Sequence, residues 1–284
     1  MKKIFHVIGA GRVGQTFAML LGNHPHWQIS HIASRSLHEN AFGATVLADI
    51  ATLPPADVVL LAVPDNAIEG AVERLAQRPL NGSLVLHFSG AKTIAALDAV
   101  AQHGGMTGSL HPVFAFADVN HAVAHLRGSL CALEADSPKA MALLQQLAAD
   151  VGLESFALPS EQKARYHAAL SAASNFSVTL ADYAQNLLSP LALPETLSRR
   201  LVVGLMRQTV GNLVQLPPLQ ALTGPIVRGD ETTVAAHLAA MDAEEQAHYL
   251  EWARATLDLA AGRLDKAGVE RVAAVLDEAE KMDK

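Results

Sequence analysis

The sequence predicts an α/β amino-terminal half, built as a doubly wound parallel sheet, followed by an all-α carboxy-terminal domain. Three observations carry this. Short apolar runs of strand length alternate with helix-like stretches through the first half of the chain, the pattern of a parallel sheet covered on both faces. The first run, residues 4–8, ends in the glycine-rich turn Gly9-Ala10-Gly11-Arg12-Val13-Gly14 and leads straight into the helix-like residues 15–21. After Pro159 the pattern is helical to Lys284. We place the boundary between residues 158 and 159, giving domains 1–158 and 159–284.

The glycine turn makes a specific physical demand. Its first glycine lets the strand turn sharply, its second lets backbone approach a pyrophosphate, and its third lets the helix pack close to the sheet. The amides at the helix start then face the anion. This is a dinucleotide-binding, or Rossmann, turn.

The second strand is expected at residues 28–33, ending in Ser34-Arg35-Ser36. An acid at this place accepts hydrogen bonds from the adenosine ribose of NAD. None stands here, and two hydroxyls beside a guanidinium suit a 2′-phosphate instead. NADP(H) is therefore the expected cofactor and NAD the less favoured one.

Residues 57–63 form a continuous apolar run that suits a central parallel strand. It stops at Val63-Pro64-Asp65, and a helix pattern follows to residue 76. The cycle repeats with a strand at 83–88, stopped by Ser89-Gly90, and a helical 93–103. It repeats again with strands at 106–110, stopped by His111-Pro112, and at 129–133, the latter followed by a helix over 138–151. In such sheets ligands bind beyond the carboxyl ends of the strands. Val63, Pro64, Asp65, Ser89 and Gly90 are thus expected to line the ribose and nicotinamide. His111 is a candidate proton carrier, because an imidazole can donate, accept or titrate near neutral pH.

Ser160 is placed to cap a helix with Glu161 in its first turn. No Gly or Pro interrupts the chain again before Pro190, which permits a helix of about 28 residues, roughly 42 Å long. A helix of that length is expected to be mostly buried at a domain or dimer interface. At 100° per residue from His167, Ser171 falls at about +40°, Ser174 at about −20° and Asn175 at about +80°. This polar stripe stands among Ala168, Ala169, Ala172 and Ala173 and reads as part of a site. Further helices are expected at 195–216, 231–241, 244–262 and 267–282. The loop at 223–230 carries Asp230, a natural cap for the helix after it, and Arg228, whose guanidinium suits a substrate carboxylate.

Composition narrows the function classes. With 284 residues, half of them hydrophobic, the chain has material for about two domains. Its net charge of −7 offers no basic field to a polyanion, so nucleic acid is not an expected partner. The single Cys131 forms no internal disulfide and reads as a small buried hydrophobe in a reducing compartment. Met1, Lys2 and Lys3 precede an apolar run too short for a signal peptide. No stretch approaches the roughly 20 apolar residues that cross a bilayer, so the expected setting is cytoplasmic. Thirteen histidines call for a metal check. His121 and His125 with Asp118, and Glu244 with His248, have helical spacing but lack a convincing third ligand, so no metal is expected.

With these residues in view, the chain resembles the bacterial family in which a Rossmann-like domain is joined to a helical domain known as domain of unknown function 2520. The resemblance covers nearly the whole chain. It rests on the glycine turn, Ala62-Val63-Pro64-Asp65, Leu110-His111-Pro112, Tyr166-His167-Ala168-Ala169 with Ser174-Asn175, and residues 223–230. It implies an NADP-type oxidoreductase. Pyrroline-5-carboxylate reductases are similar in glycine motif, in the polar, basic turn after strand two, and in a helical second domain that dimerises. Prephenate dehydrogenases also carry a His-Pro after a late strand. The β-hydroxyacid dehydrogenases place a catalytic lysine and an asparagine four residues apart on the long helix; here that pattern falls on Ser171 and Asn175, matching the asparagine only.

The functional expectation is hydride transfer between NADP(H) and a small carboxylated keto/hydroxy or imino/amino compound. His111 and His167 are the candidate proton donors, Ser171 and Asn175 bond the reacting atom, and Arg228 anchors the carboxylate. The expected assembly is a homodimer through the helical domain. The rival expectation, prompted by the missing lysine, is an NADP(H)-binding sensor or scaffold without turnover.

Overall fold

The protein is described by a computed structural model over residues 1–37 and 39–282. Its strands are β1 (Lys3–Ile8), β2 (Trp27–Ala33), β3 (Thr45–Leu47), β4 (Val58–Leu61), β5 (Leu84–His87), β6 (Met106–Pro112), β7 (Leu130–Ala135) and β8 (Glu154–Ala157). Between them run α1 (Arg12–Gly22), α2 (Ile68–Leu75), α3 (Asp98–Gln102), α4 (Val119–His125) and α5 (Pro138–Asp150). The strands form one sheet among the described residues, in the order β3-β2-β1-β4-β5-β6-β7-β8. The order reverses direction at β1, whose neighbours are β2 and β4, and this switch point is where an open α/β sheet takes its ligand.

The continuous apolar runs are explained by burial on both faces. Side chains alternate along β4, so Val58 and Leu60 join one core with Phe5, Phe17, Trp27 and Leu144. Val59 and Leu61 join the other with Ile68, Leu75 and Leu97. Cys131 lies in the first of these cores and is fully buried, and burial pushes its thiol up to about 12.

Three expectations about the sheet are corrected. The strand expected at 106–110 continues through Pro112, so His111 is a strand residue and not part of a stop. β7 runs antiparallel to β6 while the other pairs are parallel. The chain leaves β6 and re-enters β7 at the same sheet edge, with the Val113 amide donating to the Leu130 carbonyl, so the link closes a wide hairpin and not a crossover. The helical stretch expected at 93–103 divides into a 3₁₀ turn, Ile94–Leu97, and the short α3, because the Thr93 side chain bonds the Ala95 amide and caps a tight first turn.

The chain separates into two compact units, Met1–Ser174 and Asn175–Lys284. The division falls inside α6 (Lys163–Asn186), an unbroken helix entered through the 3₁₀ turn Ser160–Gln162. Ser160 does not cap it, because its hydroxyl is engaged with Glu134 at 2.5 Å. Within this chain Lys163 is the only buried residue of α6.

The second unit contains α7 (Glu195–Gln215), α8 (Pro218–Ala221), α9 (Glu231–Ala239), α10 (Ala243–Ala260) and α11 (Lys266–Met282). Val234, Leu238, Leu250, Leu257, Val272 and Leu276 form its core. Asp230 caps α9 as expected, accepting from the Thr233 amide at 3.0 Å. Asp242 and Glu245 form a reciprocal capping box at the start of α10. α7 buries no residue, and Leu205, Val210 and Val214 stand exposed along it. No helix of the described residues is long and apolar enough to cross a membrane.

Candidate active site

The glycine turn joins β1 to α1, and each glycine meets its own steric demand. Gly9 has φ +98°, and a Cβ there would lie 2.4 Å from the Ala62 carbonyl oxygen at the end of β4. A Cβ on Gly14 would lie 2.2 Å from the Gly9 oxygen, so the third glycine brings helix and turn together. Around Gly11 a Cβ would meet nothing within 4 Å, which leaves the approach to the backbone open. Gly11 precedes α1 without a side-chain cap, so the helix presents its first amides, with Arg12 and Val13, to an incoming anion.

This turn opens into a cleft of about 760 Å³. Gly9, Ala10 and Gly11 form its floor, Ser34, Arg35 and Ser36 one wall, and Val63 and Pro64 another. Ser34 Oγ accepts the Ser36 and Leu37 amides and so shapes the turn, while Arg35 is exposed. Arg74 of α2 also borders the cleft and is bonded to Asp49 at 2.5 Å. Arg74 escaped the sequence reading because nothing local marks a helix arginine as facing the end of β2. The open backbone at Gly11 and the Ser-Arg-Ser wall fit a dinucleotide phosphate and a 2′-phosphate. Asp65, Ser89 and Gly90 do not line this cleft. Ser89 Oγ instead donates to Asp65 Oδ2 at 2.6 Å and accepts the Ala91 and Lys92 amides, which fixes the loop after β5.

At Gly90 the other candidates meet. A Cβ on this buried glycine would lie 2.6 Å from His167 Cδ2 and 2.7 Å from His111 Nε2. The His111 and His167 ring centroids are 6.2 Å apart. His111 Nδ1 and the Tyr166 hydroxyl share a hydrogen bond of 2.8 Å, which turns Nε2 toward Gly90. Burial, with help from His167 and Lys163, lowers the His111 pKa to about 4. The imidazole is therefore neutral at pH 7. Burial likewise pushes the Tyr166 phenol up to about 12. Tyr166 was legible only as part of a motif; its role appears once β6 and α6 are folded together.

Beneath this pair lies a buried ionic knot. Lys163 Nζ donates to Ser109 Oγ at 2.6 Å and to Glu134 Oε2 at 2.8 Å. Glu134 Oε1 accepts from Ser160 Oγ and from the Ile94 amide at 3.1 Å. Both charged groups are almost fully shielded from solvent. Burial lowers the lysine pKa, opposed by Glu134. The knot ties β6, β7, the 94–97 turn and the start of α6 together, one turn ahead of Tyr166 and His167. Sequence reading missed it because its members are scattered along the chain, Ser109 and Lys163 alone standing 54 positions apart.

Ser171 is half-buried on α6, one turn after His167 and within the first unit. Asn175 and Arg228 belong to the second unit, and both are exposed there. Arg228 ends a 3₁₀ turn, Ile226–Arg228, followed by Gly229 at φ +66°. Of the histidine sets weighed as metal ligands, Asp118 is occupied as the cap of α4, and the His121 and His125 rings stack at 4.3 Å. His248 stacks on Trp252.

A Rossmann-like domain is matched over residues 2–112, and the Domain of unknown function (DUF2520) over residues 129–256. The chain pairs a Rossmann-like domain with a DUF2520 domain. This Rossmann-like/DUF2520 chain has the fold of several solved structures. A Bacteroides fragilis protein, provisionally described as an NADP oxidoreductase, is 23% identical, with TM-score 0.74 over 90% of this chain and 98% of that one. A Thermotoga maritima protein is 24% identical, with TM-score 0.66 over 97% and 99%. A Plasmodium falciparum pyrroline carboxylate reductase with NADP bound is 11% identical, with TM-score 0.59 over 99% and 98%. No curated protein matches the Rossmann-like/DUF2520 chain in sequence.

Proposed function

We propose that this chain is an NADP-dependent oxidoreductase acting on a small carboxylated keto/hydroxy or imino/amino compound. The observation that carries the reading is the convergence of His111 and His167 on Gly90, at the carboxyl edge of a sheet whose neighbouring turn is open to a dinucleotide phosphate. Support comes from the structural relatives described with NADP, which share the fold.

In this reading Gly9 to Gly14 hold the pyrophosphate, and Ser34, Arg35 and Ser36 hold the 2′-phosphate. Val63, Pro64, Asp65, Ser89 and Gly90 shape the loops toward the ribose and nicotinamide. The dinucleotide, when bound, supplies or accepts the hydride. The protein must position the reacting carbon and manage one proton. His111 serves as a neutral hydrogen-bond donor through Nε2 when Tyr166 donates to Nδ1, and His167 is the companion proton carrier. Ser171 and Asn175 are assigned to the reacting oxygen or nitrogen and Arg228 to a carboxylate. The assembly is a homodimer formed through the helical unit, as its exposed apolar side chains support.

Fluorescence titration with NADPH and NADH tests the reading. A phosphate–guanidinium contact is worth roughly 1.5–3 kcal/mol, about 10- to 150-fold in affinity. NADPH is expected to bind tighter by that factor, and Arg35→Ala to remove the preference. Failure of both nucleotides to bind sinks the proposal.

A second reading, an NADP(H) sensor without turnover, draws on Ser171 standing where the β-hydroxyacid dehydrogenases carry their lysine. A sensor changes assembly or partner binding between NADPH and NADP; an enzyme oxidises bound NADPH when offered its acceptor.

A further inference from the structure

The turn between α1 and β2 carries His24-Pro25-His26, and α5 ends at Asp150. The sequence separates these residues widely, and the fold brings them together. Ligand atoms of His24, His26 and Asp150 all lie within 4.8 Å of one another. His26 Nδ1 is 3.6 Å from Asp150 Oδ1, and His24 Nε2 is 3.9 Å from the same oxygen.

Asp150 is held in place. Its other oxygen, Oδ2, accepts the Trp27 indole N–H at 2.7 Å, and Trp27 is fully buried. A hydrogen bond of this kind orients a ligating carboxylate and leaves one oxygen to face outward, as outer partners do in metal sites. The turn is also held, with the His24 amide bonded to the Leu21 carbonyl and the Trp27 amide to the His24 carbonyl. The two imidazoles already meet edge to face at 4.9 Å between centroids.

The geometry points to a divalent transition-metal site formed by His24, His26 and Asp150, with water completing the coordination. Two imidazoles and one carboxylate are a donor set for zinc, nickel or copper, and a poor one for magnesium or calcium, which want oxygen ligands. Metal–ligand bonds of about 2.0–2.2 Å require the three atoms to close by a few tenths of an ångström or more. His26, exposed, and His24, half-buried, have room to turn toward Asp150. Ligation through His24 Nε2 moves that ring's proton to Nδ1, replacing the long 3.4 Å contact from the His26 amide. The bound ion would fasten the α1–β2 turn to the end of α5.

Zinc chloride titrated into the purified full-length chain, followed by calorimetry and by thermal melting, tests this. One equivalent is expected to bind and to raise Tm, with magnesium doing neither. His26→Ala, at an exposed position, is expected to weaken zinc by at least about tenfold, the scale of losing a ligand or its support, without changing the metal-free melt. Asp150→Asn is expected to weaken it similarly. The double variant His121→Ala/His125→Ala is the control for a surface histidine pair. Absence of zinc binding, zinc binding that His26→Ala leaves unchanged, or binding abolished by the control variant overturns the site.

Discussion

At His111 the burial that excludes water also removes charge, and the two effects have separate readouts. The folded pKa of about 4 lies below the ordinary 6.5, as it does for His87. Between pH 6.5 and 4 the unfolded chain takes up protons that the folded chain refuses, so stability is full above 6.5 and is lost as pH falls toward 4. We expect Tm to decline through this window and to decline less steeply in His111→Asn; equal slopes would show that His111 is not held neutral. If the neutral ring assists the reaction, His111→Ala lowers kcat by about 10²-fold or more in a steady-state NADPH oxidation assay. The wild-type rate should then show no His111-dependent limb between pH 6 and 8. The imidazole was visible in the sequence as a candidate; its neutrality was not, because desolvation is contributed by neighbours from β5, α6 and the Gly90 loop.

Among the elements, β7 and α6 depend on each other through Glu134 and Lys163. Removing one partner of such a pair leaves an uncompensated buried charge and costs about 3–5 kcal/mol, while replacing both with apolar groups restores much of the loss. Urea melts of Lys163→Met, Glu134→Leu and the double variant are expected to show that recovery; strictly additive losses would mean that the pair is not the unit that matters. The contrast with the glycine turn explains what could be read in advance. Gly9, Gly11 and Gly14 answer to the demands of one turn, so residue type and spacing suffice to find them. The fully apolar β4 announces its burial for the same reason. The reversed β7, the extra edge strands β3 and β8, and the Lys163 knot are defined by pairing between distant positions, which leaves no periodic trace. The length of helix α6 was legible from the absence of Gly and Pro, whereas what covers it depends on what packs against it.

For the molecule as a whole, the uncovered apolar side chains concentrate on α6 and α7. Phe176, Val178, Leu205, Val210 and Val214 are each more than half exposed, far more apolar surface than isolated surface residues explain. A homodimer that covers them is expected to appear by light scattering at twice the chain mass, and Leu205→Glu with Val214→Glu to shift it toward monomer; a dilution-independent mass of 30 kDa for the unmodified chain would refute it. Cys131 offers a further use at this scale. The chain's one thiol lies sealed between β7 and the helix layer with its ionisation suppressed, so a thiol reagent cannot react until that core parts. Labelling speed then becomes a stopwatch for opening of the sheet, and its slowing by added nucleotide or zinc would time, from a single atom, how firmly either ligand holds the amino-terminal unit shut.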